Sequence, residues 1–166
     1  VRDAGVGRAV DSGQRCPRRF TTGKGVGKIQ MIERRGRRIE RGWKIPRILI
    51  VDDEKLVRFV MERALDKLEI DFRLDSVSGG HEAFDLIEQE PVDLVITDIK
   101  MPDGGGVELT ERMRESGMDS TVVWVTAYGC EGYREDAERL GVFRCVEKPL
   151  EVSMIRQVVE DALQDG

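Results

Sequence analysis

The stretch V92-D-L-V-I-T-D-I-K-M-P-D-G-G-G106 decides the fold. Val92, Leu94, Val95 and Ile96 read as a buried strand, and Asp98 stands immediately beyond it. A proline and three glycines follow within eight residues, so a carboxylate closes an apolar strand and opens a loop. A helix-capping aspartate is the simplest explanation. The rest of the chain supplies a fuller one.

Outward from that strand, apolar segments alternate with helical patterns from Arg47 onward. "RILIV" at 47–51 is a first strand, and "FRLDSV" at 72–77 a weaker second. "TVVWV" at 121–125 is the fourth and "VFRCV" at 142–146 the fifth. Leu56, Val57, Val60, Met61, Ala64, Leu65 and Leu68 recur at helical spacing between the first two. Ala83, Phe84 and Ile87 mark a second helix after Gly79 and Gly80, and Val107, Leu109 and Met113 a third. Ala137 and Leu140 mark a fourth that Gly141 is placed to end. Met154, Ile155, Val158, Val159 and Leu163 line the last. Five strands alternating with five helices predict an α/β fold, a doubly wound parallel sheet covered on both faces.

The composition agrees with a globular chain. Of 166 residues, 40% are hydrophobic and 36% charged, and no apolar run approaches a membrane span. The net charge of −5 is unevenly spread: residues 1–46 carry 13 basic against 4 acidic residues, leaving 14 against 28 in 47–166. The first part is therefore expected to be a basic, disordered Gly/Arg-rich arm, or an artefact of start-site choice ahead of Met31. "TTGKGVGKI" at 21–29 fails as a phosphate-binding loop, because its glycine spacing is one short and Ile29 replaces the required hydroxyl residue. A nucleic-acid role for residues 1–46 stays open, but "RRGRRIER" has no aromatic interleaving. Cys16, Cys130 and Cys145 lack metal-ligand spacing and are too few for a disulfide scaffold, which makes a reducing cytoplasm the default location. Cys130 and Cys145 are read as structural or incidental, the single His81 as a surface residue away from the site, and Trp124 as core.

In such sheets chemistry gathers at the carboxyl ends of the strands. Those ends are Asp52 and Asp53, Asp98, Thr126, and the group Glu147, Lys148, Pro149. Clustered carboxylates repel one another unless a cation is present, and oxygen-only ligands suit Mg²⁺. Asp98 can then act as a nucleophile toward phosphorus, with Lys148 and the Thr126 hydroxyl each pairing a phosphoryl oxygen.

At this point the chain closely resembles the receiver domain of bacterial two-component response regulators. The matching residues are "VDDE" at 51–54, "DIKMP" at 98–102, "TAYG" at 126–129 and "EKP" at 147–149, and the resemblance covers 47–166. It implies a flavodoxin-like sheet of order 2-1-3-4-5 and a phosphoacceptor role for Asp98. It further implies Mg²⁺ held by Asp53 directly, by Asp52 mainly through water, and by Asp98 and the backbone carbonyl of Lys100. Thr126 would be the switch hydroxyl and Lys148 the phosphate-pairing lysine, with a cis peptide before Pro149. The donor would be a sensor histidine kinase or a histidine phosphotransfer protein, and the chain an acceptor rather than an enzyme, aiding its own phosphorylation and dephosphorylation. With no room after the fifth helix for an output domain, a single-domain regulator acting by protein contact is expected. The family's usual aromatic three residues before the lysine is here Cys145, and Phe143 is the nearest aromatic of the same strand parity. A Mg²⁺-dependent aspartyl-nucleophile phosphatase is the enzymatic rival, but it needs an acid where Lys100 stands. Lys100 and Tyr128 are expected to flank the mouth of the site.

Overall fold

The computed structural model describes residues 45–164. Strands β1 (Arg47–Val51), β2 (Arg73–Val77), β3 (Leu94–Asp98), β4 (Thr121–Thr126) and β5 (Arg144–Glu147) alternate with helices α1 (Lys55–Leu65), α2 (Gly80–Gln89), α3 (Gly106–Glu115), α4 (Arg134–Arg139) and α5 (Val152–Gln164). Every neighbouring pair is parallel, in the order β2-β1-β3-β4-β5. The doubly wound five-stranded sheet expected from the sequence is therefore the fold. The basic arm assigned to 1–46 lies, except for its last two residues, outside the described residues.

Because successive strand residues face opposite ways, β1, β3 and β4 feed two cores. Ile48, Ile50, Ile96, Val123 and Val125 pack against Met61 and Leu65 of α1 and Ile155 and Val159 of α5. Leu49, Val51, Val95, Val122 and Trp124 pack against Phe84 and Ile87 of α2 and Leu109 and Met113 of α3. Each such side chain contributes about 1.5–3 kcal/mol on burial. Trp124 is core as expected: its indole Nε1 donates to Thr110 Oγ1 at 2.9 Å, and Tyr133 meets it edge-on.

The amino edge of the sheet is pinned by a buried arginine. Arg47 donates from Nε to Asp75 Oδ2 at 2.6 Å and from Nη1 to the Glu90 carbonyl at 2.6 Å. Its backbone N–H reaches Asp93 Oδ2 at 2.8 Å. One residue thus joins β1, β2, the end of α2 and the approach to β3, and leaves the opposite edge free for chemistry.

Several expectations shift in detail. Leu56, counted in the apolar set of α1, is 72% exposed, while Leu68 is buried beyond the helix end. The fourth helix is a 3₁₀ turn over Glu131–Tyr133 followed by the six residues of α4, with Leu140 as its C-cap. Gly141 ends it at φ +62°, with Val142 N–H donating back to the Ala137 carbonyl at 2.9 Å. Phe143 precedes β5 and packs on the α1–α5 core, whereas Cys145 packs on the α2–α3 core, so the two do not share a face.

The cysteines are the main correction. Cys130 and Cys145 form a disulfide with Cα atoms 5.8 Å apart. Their separation of 15 residues carries no pairing signal in sequence. The fold supplies it: Cys145 lies opposite Trp124 in the β4–β5 ladder, and the chain leaving β4 turns back over β5. There Cys130 N–H donates to Glu147 Oε1 at 2.9 Å.

Candidate functional site at the carboxyl edge of the sheet

Asp98 is the last residue of β3, not a residue beyond it, and is 6% exposed. The central position of β3 brings it between the ends of β1 and β4. Its backbone is held closely by the loop to α3. A Cβ on Gly106 would lie 2.6 Å from the Asp98 carbonyl oxygen, and one on Gly105 would lie 2.3 Å from that of Ile99. Gly104 turns the loop at φ +73°. The glycines that follow the strand therefore exist to let the chain fold back onto it. That answers why loop-formers surround a strand-end carboxylate.

Two donors fix the carboxylate. Lys100 N–H donates to Asp98 Oδ1 at 3.0 Å, and Lys148 Nζ donates to Oδ2 at 2.6 Å. The same Nζ donates to Asp52 Oδ2 at 2.9 Å and lies 3.6 Å from Glu54 Oε1. Asp52, fully buried at the end of β1, also accepts from Glu54 N–H at 2.8 Å. Burial pushes the Asp52 carboxyl above its ordinary range, against the hydrogen bond from Lys148, which pulls it down. Burial would lower the Lys148 ammonium, but its hydrogen bonds to Asp98 and Asp52 prevail and raise it above its ordinary value. The pocket is one that favours positive charge.

Ligand atoms of Asp52, Glu54 and Asp98 lie within 4.8 Å of one another, the one such acidic group found among the described residues. Glu54 was not singled out in the sequence, although it belongs to the quoted "VDDE" and sits two residues after Asp52. Asp53, the expected direct ligand, is exposed and stands outside that group. All three donors are carboxylates, a set that fits a small hard cation.

Thr126 is fully buried at the end of β4. Its Oγ1 accepts from Tyr128 N–H at 3.0 Å, and its carbonyl accepts from Lys148 N–H at 2.7 Å. The peptide after Lys148 is cis, as expected. Lys100 Nζ stands 4.3 Å above the Tyr128 ring, so the two expected flanking residues touch each other, with Tyr128 70% exposed. His81 is at the surface but not remote: its Nδ1 hydrogen-bonds Asp103 on the loop that follows Asp98.

Known proteins share this fold and part of this sequence. The response regulator receiver domain family matches residues 48–160. The response regulator protein PilR of Pseudomonas aeruginosa is 34% identical over 116 residues, 70% of this chain and 26% of that protein. Sporulation initiation phosphotransferase F of Bacillus subtilis is 30% identical over 117 residues, 70% of this chain and 93% of that protein. The chain thus spans about a quarter of the first relative and nearly all of the second. A CheY-like response regulator receiver domain from Methylobacillus flagellatus superposes with a TM-score of 0.62 at 23% identity, over 72% of this chain and 99% of that one. That likeness is one of fold.

Proposed function

The chain belongs to the family of response regulator receiver domains, and from that premise we propose that Asp98 is the residue that accepts a phosphoryl group. The donor is a phosphohistidine on a sensor histidine kinase or a histidine phosphotransfer protein. The observation that carries this reading is the Asp98 carboxylate at a buried strand end, paired at 2.6 Å with Lys148 and close to Asp52 and Glu54. An Asp98 oxygen attacks phosphorus in line, the phosphorus–nitrogen bond of the donor breaks, and the imidazole leaves with its electron pair. Lys148, already in contact with Asp98, follows the charge onto a phosphoryl oxygen. Thr126 offers its hydroxyl to another, and any movement of Oγ1 toward Asp98 alters the bond it accepts from Tyr128 N–H.

Asp52, Glu54 and Asp98 supply the acidic donors for Mg²⁺, with Asp53 and the Lys100 carbonyl as the ligands the family pattern adds. Bound there, Mg²⁺ supplies positive charge that offsets both the carboxylates and the incoming phosphoryl oxygens. We read the protein as a cytoplasmic phosphoacceptor, not an independent enzyme, that passes its signal by protein contact through α4, β5 and α5. Among the described residues no helix is long and apolar enough to cross a membrane.

Incubation with acetyl phosphate and Mg²⁺, followed by intact mass, tests the reading. Wild type is expected to gain one hydroxylamine-labile phosphoryl group, and Asp98→Asn none. Chelation or Asp53→Ala should suppress the gain. Labelling of Asp98→Asn at the wild-type rate would overturn the assignment.

A further inference from the structure

Cys130 and Cys145 stand on either side of the element that would report phosphorylation. Cys130 is four residues past Thr126, and Cys145 three before Lys148. Between them lie the 3₁₀ turn and all of α4. Their bond therefore staples the start of that segment to β5, the edge strand that ends immediately before Lys148. A second tie crosses at the same place, from Cys130 N–H to Glu147 Oε1 at 2.9 Å.

We propose that the Cys130–Cys145 pair is a reversible thiol–disulfide site that gates the read-out of the receiver. The proposal rests on the reading of Asp98 as acceptor. Closed, the bond fixes Cys130, at the entrance to the 3₁₀ turn and α4, to β5, so that a change at Thr126 cannot reach the α4 face. Open, the loop from Ala127 to Cys130 keeps the hydrogen bonds to Thr126 Oγ1 and Glu147 and the contact of Tyr128 with Lys100, and is free to follow Thr126.

Three observations favour a regulatory bond over a plain structural staple. The fold buries two clusters of hydrophobic side chains, and a domain of about 120 residues with such cores does not ordinarily depend on a cross-link. The bond spans a functional loop and lies at the edge of the sheet, not across its centre. Both cysteines are partly exposed, so a small thiol reagent can reach them.

The chemistry balances with a low-molecular-weight disulfide as oxidant. One cysteine thiolate displaces a small thiolate, forming a mixed disulfide, and the second cysteine thiolate then displaces the remaining small thiolate to close the Sγ–Sγ bond. Two electrons pass to the small disulfide, and the two cysteine protons end on the two thiols released. A dithiol reverses both steps.

The test uses the full chain equilibrated in reduced or in oxidised glutathione, with Cys130 and Cys145 occupancy read by alkylation and peptide mapping. Each form is treated with acetyl phosphate and Mg²⁺, its mass gain is recorded, and amide exchange over 127–142 is followed. Both forms should gain one phosphoryl group at similar rates. Phosphorylation should accelerate exchange over 127–142 by about tenfold in the reduced form and leave the oxidised form unchanged within about twofold. Cys145→Ser should behave as the reduced form in either buffer, and Cys130→Ser should match it. No mass gain in either form would overturn the acceptor reading and the gate with it. Mass gain in both forms with equal exchange responses would overturn the gate alone. So would a pair that stays closed in reduced glutathione, or open in the oxidised buffer.

Discussion

Lys148 is the residue on which the carboxyl edge depends. Among the described residues it is the one side chain that bonds both Asp98 and Asp52, and it is 12% exposed. Lys148→Met would leave two buried carboxylates facing each other and should cost about 2–3 kcal/mol in urea unfolding at pH 7 in chelator. The pH window follows from the directions of the shifts. The folded Lys148 value lies above 10.5, so its contribution is complete at neutral pH and is lost only as pH rises through that higher value. On the acid side it fades as Asp52 protonates, a step that burial has raised above 3.8. Wild type and variant should therefore converge toward pH 3. An undiminished gap there would contradict the pairing. Lys100 and Tyr128, two residues after Asp98 and Thr126, form a second pair at 4.3 Å. An attacking water needs a line to the Asp98–phosphorus bond, so loss of either residue should speed decay of the phosphorylated protein about threefold. Because each holds the other, the double variant Lys100→Asn/Tyr128→Ala should decay no faster than either single one. Equal decay in wild type and all variants would dismiss the shielding.

At the scale of elements, the loop from β3 to α3 is the most tightly fitted. Gly105→Ala would place a methyl group 2.3 Å from the Ile99 carbonyl oxygen, at a φ of −73° that alanine otherwise accepts. Its cost is purely steric, about 1–3 kcal/mol, and should come with slower phosphoryl uptake because Asp98 shifts. Gly117→Ala meets nothing within 4 Å but sits at φ +70°, so it should cost about 1 kcal/mol and leave uptake unchanged. Matching losses of uptake in both would show that general destabilisation, not the loop, is responsible. This loop also marks what sequence makes legible. The strand "LVITD" and the apolar runs of β1 and β4 are buried on both faces, so local pattern and tertiary position coincide. Where they part, reading fails. Glu54 is drawn to Lys148 by a contact across nearly a hundred residues, and Phe143 leaves the strand parity because β5 starts one residue later. The disulfide depends on the turn of the chain after β4, which no spacing rule encodes.

For the whole molecule, Mg²⁺ is expected to act as a stabilising ligand because it binds the folded arrangement of acids and not the unfolded chain. At ten times its dissociation constant the gain should be about 1.4 kcal/mol, read as a rise in the thermal midpoint relative to chelator. Asp98→Asn should diminish that rise, and Ca²⁺ or Mg²⁺ acting equally on wild type and on an Asp52→Asn/Asp98→Asn double variant would remove the site. The course of the chain has a further consequence. Arg47 begins β1 at the amino edge, and Arg144, at the start of β5, is 3.4 Å from Asp161 near the end of α5. Both limits of the described fold therefore emerge on the side away from Asp98. The points of attachment at Ile45 and Gln164 thus lie away from the chemistry, which suits the fold to use as a cassette within longer architectures. Matches of 116 and 117 residues accordingly make up 26% of one relative and 93% of another.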